Sequence, residues 1–150
     1  MKKYKILVAL ATATLFISCG EDINKPNFGH EYVSKYIKHC LFFQAKTDTT
    51  ITSIVAEDGK CGLEIPINMH NFWDVSENGN EMIKYGYSTE FTDKGVKNTK
   101  SIIERKKIEI KLKEGEKFYF VSGCYPIKKL ILETDIGKFE YKDLKKDDKK

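Results

Sequence analysis

The chain has 150 residues, 41% of them apolar, which is enough for a single domain with a core of its own. Its 26 basic and 22 acidic residues give a formal net charge of +4. Three of the lysines, Lys2, Lys3 and Lys5, stand in the first five residues, and without them the balance falls to +1. Charge that small and that evenly interspersed leaves no electrostatic footprint for nucleic acid.

The basic head runs into an apolar stretch from Ile6 to Ile17, then into Ser18, Cys19 and Gly20, and then into acidic Glu21 and Asp22. As a helix the apolar stretch would span about 18 Å against a hydrocarbon core of about 30 Å, too short for a comfortable membrane span. The order of basic, apolar and small residues is that of a cleaved export signal over residues 1–18. The cysteine directly after it makes the stretch resemble a bacterial lipoprotein signal, although Phe16 stands where that family usually carries leucine. The resemblance implies that Cys19 becomes the new N-terminus and carries a diacylglycerol on its thiol and a third acyl chain, such as palmitate, on its amine. Two or three chains hold a protein on a membrane where one alone is marginal. Gly20, in place of the aspartate of inner-membrane lipoproteins, implies the outer membrane of a Gram-negative envelope. Glu21 and Asp22 resemble the acidic tracts that send some lipoproteins to the cell surface.

Residues 19–30 are polar, with Asn24, Pro26, Asn27 and Gly29, and read as a tether. From Glu31 to His39 the apolar positions Tyr32, Val33, Tyr36 and Ile37 allow one short N-terminal helix. Cys40 to Lys46 begins a region of period two, followed by a β-branched run from Thr50 to Val55, with Ile51 and Val55 on one face and Ile54 on the other. Leu63, Ile65 and Ile67 alternate with Glu64 and Pro66, and the proline predicts an edge strand. Ile83, Tyr85, Tyr87, Thr89 and Phe91 share a face opposed by Lys84, Gly86, Ser88 and Glu90, the pattern of a half-buried strand. Tyr85 and Tyr87 are therefore predicted in the core. Ile108, Ile110 and Leu112, a break at Glu114-Gly115-Glu116, and then Phe118 and Phe120 predict a hairpin. A second one pairs Leu130 and Leu132 with Phe139 and Tyr141 across Asp135-Ile136-Gly137. The fold class expected over residues 31–144 is all-β, an antiparallel sandwich or small barrel of about eight strands. Residues 145–150 form a charged tail.

With Cys19 committed to lipid, Cys40, Cys61 and Cys124 remain in a compartment that permits disulfides, enough for one pair and one free thiol, with three pairings open. The spacing of Cys61, Trp73 and Cys124 resembles that of immunoglobulin-like domains, which implies a Cys61–Cys124 disulfide, although Ser122 stands where that family carries its corner tyrosine.

Chemistry is scarce. No nucleophile elbow, metal-binding helix motif, phosphate loop or calcium loop occurs, and His30, His39 and His70 are the only histidines. His39 and Cys40 cannot act as base and nucleophile, because adjacent strand residues point to opposite faces. No catalytic residue, cofactor or metal site is therefore expected, and the chain is read as a non-enzyme. The stretch singled out for binding is Asn68 to Asn80, with His70, Phe72, Asp74 and the chain's one tryptophan, Trp73, although Phe72 and Trp73 are better read as plugging one end of the core. Asp48-Thr49-Thr50 resembles the short O-glycan acceptor sites of some envelope proteins. The expected role is a binding or structural accessory module that contacts an envelope protein or glycan; the alternative is an inhibitor or immunity-type lipoprotein. An inhibitor should carry a protruding loop, a glycan binder an aromatic platform, and an enzyme a pocket with convergent titratable groups. Replacing Cys19 with alanine should leave the precursor unprocessed and unlabelled by radioactive fatty acid. Normal processing with release to the medium would show an ordinary secreted protein instead.

Overall fold

The computed structural model describes residues 23–144, so the signal stretch, Cys19, Glu21-Asp22 and the 145–150 tail lie outside it. Eleven strands are described, and every pairing among them is antiparallel. They are β1 Asn27–Val33, β2 Lys38–Gln44, β3 Thr49–Ala56, β4 Leu63–Pro66, β5 Phe72–Val75, β6 Glu81–Thr92, β7 Gly95–Lys107, β8 Ile110–Leu112, β9 Lys117–Ser122, β10 Ile127–Thr134 and β11 Gly137–Leu144. They form a seven-stranded sheet in the order β1-β2-β9-β4-β5-β6-β7 and a four-stranded sheet in the order β11-β10-β3-β8. The fold is an open sandwich of two sheets, not a closed barrel.

Between the sheets lies one apolar core. Phe43 and Phe120 are fully buried and stacked, with ring centroids 5.0 Å apart, and Tyr141 of the opposite sheet lies 5.2 Å from Phe43. Ile51, Ile54, Ile127, Leu130 and Leu132 complete the centre from the four-stranded side. In β3 the residues buried are Thr49, Ile51 and Ser53, and then Ile54 and Ala56. This change of phase, against the single alternation expected, comes from a bulge: Glu133 faces Ser53 but Thr134 faces Ile51, leaving Thr52 as the extra residue.

Four local expectations change. The helix expected over Glu31 to His39 is the end of β1, a three-residue 3-10 turn at Ser34–Tyr36 and the start of β2, with Ile37 in the left-handed region at φ 49°. Two turns of apolar periodicity cannot nucleate a helix against strand pairing on both sides. The polar tether is also shorter than expected: Pro26 is fully buried, its carbonyl accepts the Tyr141 hydroxyl at 2.5 Å, and β1 begins at Asn27. Pro66 does not mark a sheet edge, because β4 lies between β9 and β5. The proline is tolerated there because β4 pairs with β9 only through Leu63 and Glu64, so Pro66 lies past the end of that ladder. Finally, Ile110–Leu112 and Lys117–Ser122 are not a hairpin, for β8 pairs with β3 and β9 with β2 and β4, in different sheets. Their connection crosses the sandwich. It is bonded to the β2–β3 connection by Gly115 N–H to the Ala45 carbonyl at 2.8 Å and Glu114 N–H to Asp48 Oδ1 at 2.9 Å.

Cys61 and Cys124 are joined, with Cα atoms 5.7 Å apart, and Cys40 is a buried free thiol. The bond does not bridge the two sheets as in immunoglobulin-like domains. It closes the ends of β4 and β9, neighbours in one sheet whose Leu63 and Ser122 are paired. Because it closes a loop of 63 residues, chain entropy puts its contribution at about 4 kcal/mol. The Cys61→Ala/Cys124→Ala variant should lose about that much unfolding free energy in a urea titration. Alkylation of the folded wild-type domain should modify none of these three cysteines, and alkylation after unfolding only Cys40.

Candidate binding surface

Strands β6 and β7 are longer than any others described, and most of their length leaves the sandwich. β5 pairs with β6 only at Asp74 and Val75, opposite Ile83 and Met82, so from Lys84 outward β6 has β7 alone for a neighbour. Residues 84–92 at strand rise make a two-stranded arm about 30 Å long. It closes at its tip through Thr92 Oγ1, which donates to the Gly95 carbonyl at 2.9 Å, with Gly95 at φ 128°, a value that favours glycine. A bulge at its base leaves Ile103 unpaired, and Ile103 lies across Gly86, where an added Cβ would come within 2.7 Å of it.

Residues directly opposite in an antiparallel pair share a face. One face of the arm therefore carries Tyr85, Tyr87, Thr89 and Phe91 with Ile102, Lys100, Asn98 and Val96. Here the expected half-buried strand is corrected: Tyr87 is 74% exposed and Phe91 82%, and Val96 and Ile102 are exposed as well. The stripe continues the face of Asp74 and Ile83, opposite to the face on which Val75 and Met82 pack against the core, so alternation that normally signals burial presents an apolar stripe to solvent. Lys100 Nζ lies 3.9 Å from the Tyr85 ring centroid and 3.7 Å from Asp74 Oδ2. Burial acts to lower its pKa, but Tyr87, Asp74 and Tyr85 outweigh it and the net shift is upward, so the ammonium stays charged beside the aromatic stripe.

Of the four residues predicted to bind, only Asp74 faces this site. Trp73 is 6% exposed and belongs to the core, with Lys106 Nζ 5.1 Å from its ring. The expected long loop is broken by β5, which places Trp73 between β4 and β6. Phe72 is half-buried under Lys38, whose Nζ is 3.6 Å from the ring centroid. His70 is exposed in a turn ordered by Asn68 Oδ1, which accepts the N–H groups of His70 and Asn71, each at 2.9 Å. In the glycan-like triplet, Thr49 is 4% exposed and its hydroxyl donates to Asp135 Oδ1 at 3.1 Å, so that hydroxyl is engaged inside the fold.

A second polar cluster fixes the opposite end of the large sheet. Glu31 of β1 accepts Lys117 Nζ at 2.8 Å and the Tyr119 hydroxyl, both from β9, across the intervening β2. The bond from Lys117, then that from Tyr119, hold the Glu31 carboxyl below its ordinary value, and the carboxylate pushes Tyr119 up to about 12. Comparison with protein-family models, curated proteins and solved structures finds no match for the chain.

A depressed carboxyl stabilises the fold above its unfolded pKa, and that contribution is lost as pH falls through the lower folded value. Glu31→Gln should therefore be less stable than wild type at neutral pH. The gap should narrow as pH drops below the ordinary carboxylate range, measured as urea midpoints across the acid limb.

Proposed function

We propose that the chain is a lipid-anchored protein of the bacterial envelope that acts by binding, with the β6–β7 arm as its contact element. The observation that carries this reading is the apolar stripe of Tyr87, Phe91, Val96 and Ile102 on a ribbon with no sandwich behind it. An isolated two-stranded ribbon is marginal in water, and contiguous exposed apolar surface on a soluble domain marks an interaction site. Tyrosine is also among the side chains enriched at protein contacts. The anchor rests on the signal pattern that ends at Cys19, and the Gram-negative outer membrane on Gly20.

The arm favours a protein partner over a glycan, because its aromatic residues follow one another along a narrow ribbon and do not form a broad platform. It equally suits the second reading, an inhibitor or immunity-type lipoprotein whose projection enters an enzyme or toxin. In both readings the protein binds and does not turn over substrate.

The test is a crosslinked pull-down from whole envelopes. Tyr87→Ala and Phe91→Ala should each weaken capture of one stoichiometric protein by about tenfold or more. Stability should change by no more than about 0.5 kcal/mol, since both side chains are exposed. Deleting 86–101 and closing the ribbon with an Asn-Gly turn should abolish capture and leave the sandwich folded. Retention on envelope polysaccharide with no protein captured would instead identify a glycan binder, and capture unaffected by the deletion would remove the arm from the account.

A further inference from the structure

β7 ends the seven-stranded sheet, so one side of its backbone has no strand beside it among the described residues. The other strands at sheet margins are shorter, with seven residues in β1, eight in β11 and three in β8. β7 has thirteen, and all of them are exposed. Proteins ordinarily keep sheet edges short or covered, because an open row of N–H and C=O groups pairs with other chains. The two-residue turn of Asp93 and Lys94 fixes which groups are open. Thr92 and Gly95 flank it as a hydrogen-bonded pair, and alternation from there turns the N–H and C=O groups of Val96, Asn98, Lys100 and Ile102 outward. The side chains of these same four residues lie on the stripe.

We infer that this edge takes an extended acidic segment of a partner protein as an added strand, an inference that rests on the arm being the contact element. Charge chooses the occupant. Between Glu81 and Lys107 seven residues are basic and four acidic, whereas the rest of residues 23–144 holds twelve basic and fourteen acidic. The ribbon is thus the basic part of a domain that is otherwise slightly acidic. Gly95 to Ile102, the stretch before the bulge, contains Lys97 and Lys100 and no acidic residue. A second copy of β7 laid against it brings like charges together, which destabilises a strand pair, whereas a strand bearing carboxylates is attracted. Lys100 is held to Asp74 only by an exposed pair at 3.7 Å, so a carboxylate of the added strand can take the place of Asp74. Apolar residues of the added strand beside Val96 and Ile102 lengthen the stripe. Main-chain bonds to the outward residues supply affinity, and the alternate side chains supply specificity.

The probes are two short fluorescein-labelled peptides, one alternating valine with glutamate and one alternating valine with lysine, each titrated into the full chain and followed by fluorescence anisotropy. The glutamate peptide should bind saturably, about tenfold or more tighter than the lysine peptide, and should weaken as salt is added. Asn98→Pro removes one outward N–H without touching the β6 ladder and should abolish binding. Asn98→Ala loses only the bond from Thr89 Oγ1 and should keep it. In wild type, saturating glutamate peptide should slow amide hydrogen exchange at Val96, Asn98, Lys100 and Ile102 by about tenfold or more and leave Lys97, Thr99 and Ser101 unchanged. If the proline variant fails to fold, that alternating pattern decides. No binding, equal binding of the two peptides, or binding without the pattern would overturn the added strand. So would a dimer of the chain that Asn98→Pro dissociates, which would put a second copy on the edge. Envelope capture separates this inference from the arm itself. Capture that falls with Tyr87→Ala but survives Asn98→Pro keeps the arm and removes the added strand, and capture that survives deletion of 86–101 removes both.

Discussion

The contact on which the rest depends is the stack of Phe43 on Phe120 with Tyr141 against it. Phe43 and Phe120 belong to the adjacent strands β2 and β9, so their stacking fixes the centre of the large sheet, and Tyr141 brings in the small one. The Tyr141 hydroxyl then finds its partner in the Pro26 carbonyl, which draws the N-terminal segment over the end of the core. A buried phenol needs such a partner, and Pro26, with no N–H to satisfy, is suited to the buried position beside it. Burial pushes the Tyr141 pKa well above the usual phenol range, so the hydroxyl remains a donor.

From this centre outward, support falls away along the large sheet. β2, β9 and β4 are paired on both edges and covered on one face by the core; β6 is covered only at its start, through Met82. The four-stranded sheet is too narrow to face seven strands, and the surplus at the β6–β7 end becomes the arm. The same sequence alternation therefore has two consequences. On the face turned to the other sheet, as at Leu41 and Phe43, it makes core; on the face of β6 opposite to core-packed Met82, as at Tyr87 and Phe91, it makes an exposed apolar surface.

Disulfide and salt links follow the same gradient. Cys61–Cys124 closes β4 to β9 at the well-supported middle. Glu31, Lys117 and Tyr119 fasten β1 at one margin. At the other margin Lys100 to Asp74 and Arg105 to Glu81 tie only the base of the arm, at 3.7 and 3.6 Å between exposed groups worth little in stability. The outer length of the ribbon is held by its own backbone pairing.

Much of the architecture was legible in the sequence. Period-two alternation over Cys40 to Lys46, Thr50 to Val55 and Leu130 to Tyr141, with turn residues between, determined an all-β antiparallel fold, because side-chain alternation is a local property of strands. The β10–β11 hairpin was legible for the same reason: its turn and both of its strands are contiguous. Alternation carries no information about which strand lies opposite, and there the reading failed. Glu114-Gly115-Glu116 is a turn in sequence, but only the assembled core makes it a crossing between sheets and not a hairpin. Trp73, offered as a binding residue although better read as core, is buried, while Tyr87, expected in the core, is exposed. Exposure depends on which face of a strand is turned to the other sheet. That is settled by how distant segments assemble into two sheets, which no local pattern encodes.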